Sequence, residues 1–199
     1  MSHFNQVANT WDTPEKIKLN EHYADTIRKY LTKKDSLKIL EVGCGTGLLG
    51  SQFVDEKSHL TGIDTSKGML DVFDQKFAGN KNVHSKLLNL EEQNLDESGF
   101  DLIISSMAFH HLKNPEAMIL KLSKMLSPSG AIAVIDLDKE DGSFHPDPKN
   151  MGVHHFGFEK ETTDSWGSKA QFKKISREIV HTIKKESGEY PLFLTVLSN

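Results

Sequence analysis

Apolar residues follow two rhythms along this chain. Short runs bounded by turn residues alternate with longer amphipathic stretches, a pattern that predicts βα units and a parallel sheet. Thr13-Pro14 offers a helix cap followed by a first helical residue, and Ile17, Tyr23, Ile27, Tyr30 and Leu31 continue it at helical spacing. A strand is expected over 37–42, running into glycines, with a helix from Leu48. A second strand over 60–63 ends at Asp64, a helix covers 67–77, a third strand covers 83–90 and a fourth 101–105. Asn114-Pro115 opens a helix carrying Met118, Ile119, Leu122, Met125 and Leu126 on one face. Ser127-Pro128-Ser129-Gly130 then reads as a turn before a fifth strand over 131–137. Residues 138–158 are polar, contain Pro146 and Pro148, and read as a long loop before a weak helix over 159–170. The run 172–185 fits helix or strand spacing. A strand is preferred, because 190–197 is plainly a strand and Ser187-Gly188-Glu189 can close the two as an antiparallel hairpin.

Composition narrows the class. The 199 residues, with 37% hydrophobic and 26% charged positions, suit one soluble domain with a single substantial core. A net charge of −4 disfavours nucleic acid as the main partner, since phosphate binding needs a basic field. Cys44 is the one cysteine, which excludes an internal disulfide framework and a multi-cysteine zinc site. The longest apolar run, 131–135, falls far short of the roughly 20 residues of a membrane span. The opening MSHFNQVANTW has no basic and apolar leader pattern, so a cytoplasmic location is expected.

The densest chemical signal is Leu40-Glu41-Val42-Gly43-Cys44-Gly45-Thr46-Gly47-Leu48-Leu49-Gly50. Glycines between a strand and a helix permit a tight turn and let a ligand press on bare backbone. Gly45-x-Gly47-x-x-Gly50, with Asp64 about 20 residues on, matches a dinucleotide fingerprint. Gly43-x-Gly45-x-Gly47 preceded by Glu41 points elsewhere. A carboxylate near a pyrophosphate would repel it by roughly 1–4 kcal/mol at 4 Å, whereas a cationic sulfonium ligand would be attracted. LEVGCGTG resembles the glycine-rich segment of class I S-adenosylmethionine-dependent methyltransferases, and GIDTSKGML, SKLLNLEEQ and FDLIISSMAFHHL are similar to that family's following elements, over residues 37–137. The resemblance implies a doubly wound, Rossmann-like seven-stranded sheet, mostly parallel with an antiparallel last strand. It divides the single domain into an N-terminal helical lid (1–36), a cofactor-binding core (37–137), and a substrate-side loop with a terminal hairpin (138–199).

The same resemblance implies S-adenosylmethionine as cofactor, S-adenosylhomocysteine as product, and methyl transfer to a small-molecule acceptor. Its cofactor contacts would be Glu41, Gly43, Cys44, Gly45, Gly47, Asp64 on the ribose, Thr65, Met69, Asn89, Leu90 and Glu91 near the adenine, and Ser106, Met107 and His111 at the reacting end. The family commonly places an acid near the adenine amino group; here Asn89 stands in that place. An NAD-dependent oxidoreductase and a non-catalytic cofactor-binding protein are the alternatives. The chain has no Asn-Pro-Pro-aromatic tetrad, which disfavours methylation of DNA adenine or protein glutamine. His111, His145, His154 and His155 are candidates for proton transfer, while Trp11, His110, Phe144 and His145 are candidates for shaping an acceptor pocket. The histidines and acids of 136–155 match no zinc-ligand spacing, so no metal site is expected.

Overall fold

The structure is a computed structural model that describes residues 3–199; residues 1 and 2 of the expected lid lie outside it. Its strands are β1 (Lys38–Val42), β2 (His59–Asp64), β3 (Val83–Leu87), β4 (Phe100–Ser106), β5 (Leu126–Leu137), β6 (Lys174–Lys185) and β7 (Gly188–Ser198). Its helices are α1 (His3–Val7), α2 (Pro14–Arg28), α3 (Lys67–Lys76), α4 (Pro115–Ser123) and α5 (Lys160–Lys169). One sheet has the order β3-β2-β1-β4-β5-β7-β6, with β1 to β5 parallel and β7 antiparallel to both neighbours. The expected seven-stranded sheet and its antiparallel last strand are therefore present. Strand order reverses between β1 and β4, and a sheet of this kind opens its ligand crevice at the carboxyl ends there.

Alternation along the central strands feeds two apolar layers. Ile39, Leu102, Ile104, Ala133 and Ile135 face one layer with Tyr23, Ile27, Leu70 and Phe73. Leu40, Val42, Ile103, Ile132 and Val134 face the other, with Met118, Ile119, Leu122 and Trp166. The helix starts follow the local chemistry: Thr13, Ser66 and Asn114 side chains accept from the backbone N–H groups of Lys16, Met69 and Ala117.

Four boundaries differ from expectation, the first being α2, which stops at Arg28, short of Tyr30 and Leu31. The helix expected from Leu48 is only a 3₁₀ turn, Gly50–Phe53. Gly43, Gly45 and Gly47 all have positive φ, which keeps the chain out of the α conformation until residue 48, and Val54 is already extended. The turn expected at Ser127-Pro128-Ser129-Gly130 is instead an irregularity inside β5. Phe100 pairs with Leu126 but Leu102 with Ala131, so the intervening residues bulge while Ser127 Oγ donates to Asp101 at 2.9 Å. This also moves Met125 and Leu126 off the α4 helix. The third strand stops at Leu87 because Asn89 nucleates a turn, its carbonyl accepting from Glu92 and Gln93 N–H. The ambiguous run before the hairpin is a strand as expected, and the hairpin closes tightly, with Lys185 opposite Gly188.

The loop over 138–158 returns to its starting point. Asp138 and Phe158 form a parallel bridge. Arg177, on β6, donates to Asp138 Oδ1 (2.7 Å), the Phe158 carbonyl (2.8 Å) and Thr163 Oγ1 (2.8 Å), with its guanidinium 3.8 Å from the Phe193 ring centre. Gly157 makes this closure possible: at φ +67° its missing Cβ would lie 2.1 Å from the Asp138 carbonyl oxygen. Gly157→Ala is expected to destabilise the fold by more than the roughly 1–2 kcal/mol of a left-handed alanine. Gly79→Ala, at φ +85° but facing open space, should lose only that backbone contribution. Urea unfolding of both variants checks the contrast.

Candidate cofactor and acceptor site

The glycine turn sits at the end of β1. A Cβ on Gly43 would strike the Ala108 side chain at 2.4 Å, and one on Gly47 would strike the Phe73 ring at 2.6 Å. Gly45 is different: at φ +52° its missing Cβ would meet nothing nearer than Met69 Sδ at 4.0 Å. Internal packing thus explains two of the glycines, while the third leaves backbone bare toward the crevice. The Gly45 N–H donates to Asp64 Oδ2 (2.8 Å), and the Ser66 N–H donates to Asp64 Oδ1 (2.7 Å). Asp64 therefore ties the ends of β1 and β2 together. Burial pushes its carboxyl above the ordinary range, against the amides of Ser66, Gly45 and Thr65.

Cys44 faces inward. Its N–H is bonded to the Ile63 carbonyl (3.0 Å) and its buried sulfur belongs to the apolar layer. Burial, then the nearby Glu41 and Asp64 carboxyls, push the thiol well above its usual range, so it is not poised as a nucleophile. Glu41 also lies within the core, abutting Gly50, where any Cβ would sit 2.3 Å from Glu41 Oε2. Burial pushes its pKa up to about 8, with the Gly50 amide and Lys76 opposing the rise. At neutral pH Glu41 is thus largely protonated, and the negative charge read from the sequence is not displayed at the crevice.

The N-terminal segment crosses this turn. Asn5 Oδ1 accepts from Ser66 Oγ and from the Gly68 N–H, each at 2.8 Å. Asp12 accepts from the Thr46 hydroxyl and pairs with Lys76 at 2.8 Å. Phe4 packs edge-on against Trp11 (6.1 Å) and His111 (5.3 Å), and Lys16 covers the Trp11 face at 3.4 Å. Sequence reading marked Trp11 but missed Asn5 and Asp12, which carry no signal until the fold places the α3 cap Ser66 and the glycine-turn residue Thr46 beside them.

On the opposite side, Asn89 Oδ1 accepts from the Glu91 N–H (3.0 Å), and Glu91 Oε1 accepts from the Asn114 N–H (2.9 Å), while Leu90 is buried. Thr65 is exposed and Met69 buried; Ser106 and Met107 are half-buried at the end of β4. Met107 has φ +56°, an uncommon conformation for a side chain of its size. It lets the Met107 N–H reach the Ile135 carbonyl (2.9 Å) as the chain turns out of the sheet.

Three of the five candidate histidines meet. Ring nitrogens of His110, His111 and His145 lie within 4.8 Å of one another. His110 Nδ1–H donates to Asp136 Oδ1 at 2.6 Å, both groups fully buried, and His110 Nε2 is buried without a hydrogen-bond partner. His111 Nδ1–H donates to the Gly152 carbonyl at 3.0 Å. Burial and then the neighbouring histidine charges lower both His111 and His145 to about 4, so each is neutral at pH 7. His154 and His155 are held differently: their backbone N–H groups both donate to the His110 carbonyl (2.9 and 3.1 Å). Phe144 anchors the loop, packed on Tyr190 (5.1 Å) and on His145 (4.7 Å) beneath Lys185 (3.5 Å).

Comparison with known proteins agrees with this geometry. Residues 40–132 match the methyltransferase domain family. An uncharacterised methyltransferase of Schizosaccharomyces pombe is 36% identical over 143 residues, covering 63% of this chain and 50% of that protein. A ubiquinone biosynthesis O-methyltransferase of Coxiella burnetii is 26% identical over 137 residues, covering 66% and 58%. The chain thus spans about half the length of these relatives. Among solved structures, an S-adenosylmethionine-dependent methyltransferase of Aquifex aeolicus is superposable with a TM-score of 0.67 at 20% identity, covering 96% of this chain and 97% of that one. A Haemonchus contortus phosphoethanolamine N-methyltransferase, in complex with S-adenosyl-L-methionine, gives 0.73 at 14% identity, covering 100% and 60%. Residues 40–132 thus match a methyltransferase domain, and the chain shares the fold of solved S-adenosylmethionine-dependent methyltransferases. Its residues fit the cofactor of that class: Gly45 leaves backbone bare where a ligand must approach, and Asp64 stands at the carboxyl end of the adjacent strand. No helix among the described residues is long and apolar enough to cross a membrane.

The buried carboxyl gives a signed pH expectation. A folded pKa of about 8 against an ordinary 4.5 means Glu41 takes up a proton on folding. Its contribution is fully favourable below about pH 4.5 and is lost as pH rises through about 8. Glu41→Gln, which needs no proton, should therefore match the wild type near pH 4 and exceed its stability by a few kcal/mol at pH 8. Thermal unfolding across that range measures the difference.

Proposed function

We propose that this domain transfers a methyl group from S-adenosylmethionine to a small-molecule acceptor. The observation that carries the reading is the bare Gly45 turn beside Asp64 at the strand-order reversal, within a domain of the methyltransferase family. S-adenosylmethionine supplies an activated methyl group when bound. Asp64 would receive the ribose hydroxyls through lone pairs its two amide donors leave free. Gly43, Cys44, Gly45 and Gly47 would offer backbone, and Thr65 and Met69 would border the ribose side. Asn89, Leu90 and Glu91 would flank the adenine, while Ser106, Met107 and His111 would border the reacting end.

The acceptor side would be walled by the N-terminal segment and by the loop over 138–158. Trp11 and the neutral His111 and His145 would face the acceptor, whereas Phe144 acts behind them as the loop's anchor. Displacement at an already activated methyl draws chiefly on alignment of the reacting atoms, so rigid walls matter more than a strong base. With pKa values of about 4, His111 and His145 are weak bases. They suit an acceptor that loses its proton late in the reaction or already presents a lone pair. The O-methyltransferase name of the Coxiella relative supports a small-molecule acceptor.

Calorimetric titration tests the cofactor reading directly. S-adenosylhomocysteine should bind the full chain and NAD should not. Asp64→Ala should weaken S-adenosylhomocysteine binding by about 1.5–3 kcal/mol, the size of lost charge-assisted hydrogen bonds. Unchanged affinity in that variant would overturn the ribose assignment.

A further inference from the structure

We infer that His110, His111 and His145 form a binding site for one divalent transition-metal cation of the zinc type. Sequence spacing did not suggest it, because the ligands come from two separate segments. His110 and His111 leave the end of β4 as a 3₁₀ turn, and His145 arrives on the loop after β5. The fold nevertheless brings a ring nitrogen from each within 4.8 Å of the others. In a tetrahedral site with metal–nitrogen distances of 2.0–2.1 Å, ligand nitrogens stand about 3.3 Å apart. Closing the gap needs ring movements on the order of 1 Å.

Two features separate this cluster from histidines that merely pack together. First, two of the rings are already oriented as metal-bound imidazoles are, with one nitrogen donating to a fixed acceptor. Asp136 accepts from His110 Nδ1–H and the Gly152 carbonyl accepts from His111 Nδ1–H, which leaves Nε2 of each ring for a ligand. Second, the His110 Nε2 left over is buried and lacks any partner. An orphaned buried nitrogen destabilises a fold unless something satisfies it, and a cation would. Asp136 itself is immobilised: its carboxylate also accepts from the N–H groups of Phe109 (2.9 Å), His110 (3.2 Å) and Leu137 (2.7 Å). A three-imidazole set favours zinc and similar ions over magnesium or calcium, which prefer oxygen ligands. Three protein ligands also leave a fourth position open. That position suits an acceptor with an oxygen or sulfur donor, a clause that rests on the methyl-transfer reading; the metal site itself does not.

The test uses the full chain without an affinity tag, stripped with a chelator. Zn²⁺ titration by calorimetry is expected to give one site per chain, and Co²⁺ should give the intense visible absorption of a four-coordinate site. His111→Ala and His145→Ala should each weaken Zn²⁺ binding at least 100-fold. Asp136→Asn, which preserves shape but perturbs the His110 tautomer, should weaken it about 10- to 100-fold. If Asp136→Asn fails to fold, as circular dichroism would report, His145→Gln replaces it, with the same loss expected as for His145→Ala. Zn²⁺ binding no tighter than millimolar, or equal binding by the His111→Ala, His145→Ala double variant, overturns the site. S-adenosylhomocysteine is titrated into the same wild-type sample. Cofactor binding without Zn²⁺ binding refutes the metal site alone, and Zn²⁺ binding without cofactor binding upholds it while refuting the methyl-transfer reading.

Discussion

The buried Asp136 carboxylate is the constraint on which the proposed acceptor side of this domain depends. It lies at the end of a central strand with no exposed surface, and it accepts from three backbone N–H groups and the His110 ring. A buried carboxylate is expensive unless its lone pairs are filled, so the turn after β4 has little freedom. That turn carries His110 and His111, and its His110 carbonyl in turn holds the backbone of His154 and His155. One side chain thus sets where the long loop after β5 can lie. Arg177 performs the matching task at the loop's other end, bonded to Asp138 and the Phe158 carbonyl from the terminal hairpin.

The proposed cofactor side is built on a different principle, the absence of side chains. Gly43 admits Ala108, Gly47 admits Phe73, and Gly50 admits the Glu41 carboxyl. These close approaches draw β1, β2, β4 and α3 together around the turn, so that Gly45 alone is left bare for a ligand. The N-terminal segment completes this side through Asn5 and Asp12. Phe4 against His111 then joins the two sides. Coupling between cofactor and acceptor would have a short physical path, a ring contact rather than a relay through the sheet.

Much of the fold was legible in the chain because it rests on local rules. Periodicity located β1 to β5 and β7, the hairpin turn decided β6, the Thr13 and Asn114 caps began their helices, and the glycine turn lies where β1 leaves the sheet. The errors have local causes too. Three left-handed glycines suppressed the helix expected at Leu48, and the Ser-Pro-Ser-Gly segment was absorbed into β5 as a bulge rather than a turn. Asp64 was singled out by its spacing from the glycines. Glu41 was singled out as well, but for a charge that burial largely removes.

The sequence by itself determined the alternation of strands and helices, the position of the glycine turn and the acid paired with it. Each of these depends on residues a few positions apart, where backbone geometry fixes the relation. Tertiary structure decided the rest: the protonation of Glu41, the inward turn of Cys44, the docking of Asn5 and Asp12, and the meeting of His110 and His111 with His145. These depend on burial and on contacts between segments separated by tens of residues. Spacing along the chain carries no information about either until the sheet brings the segments together.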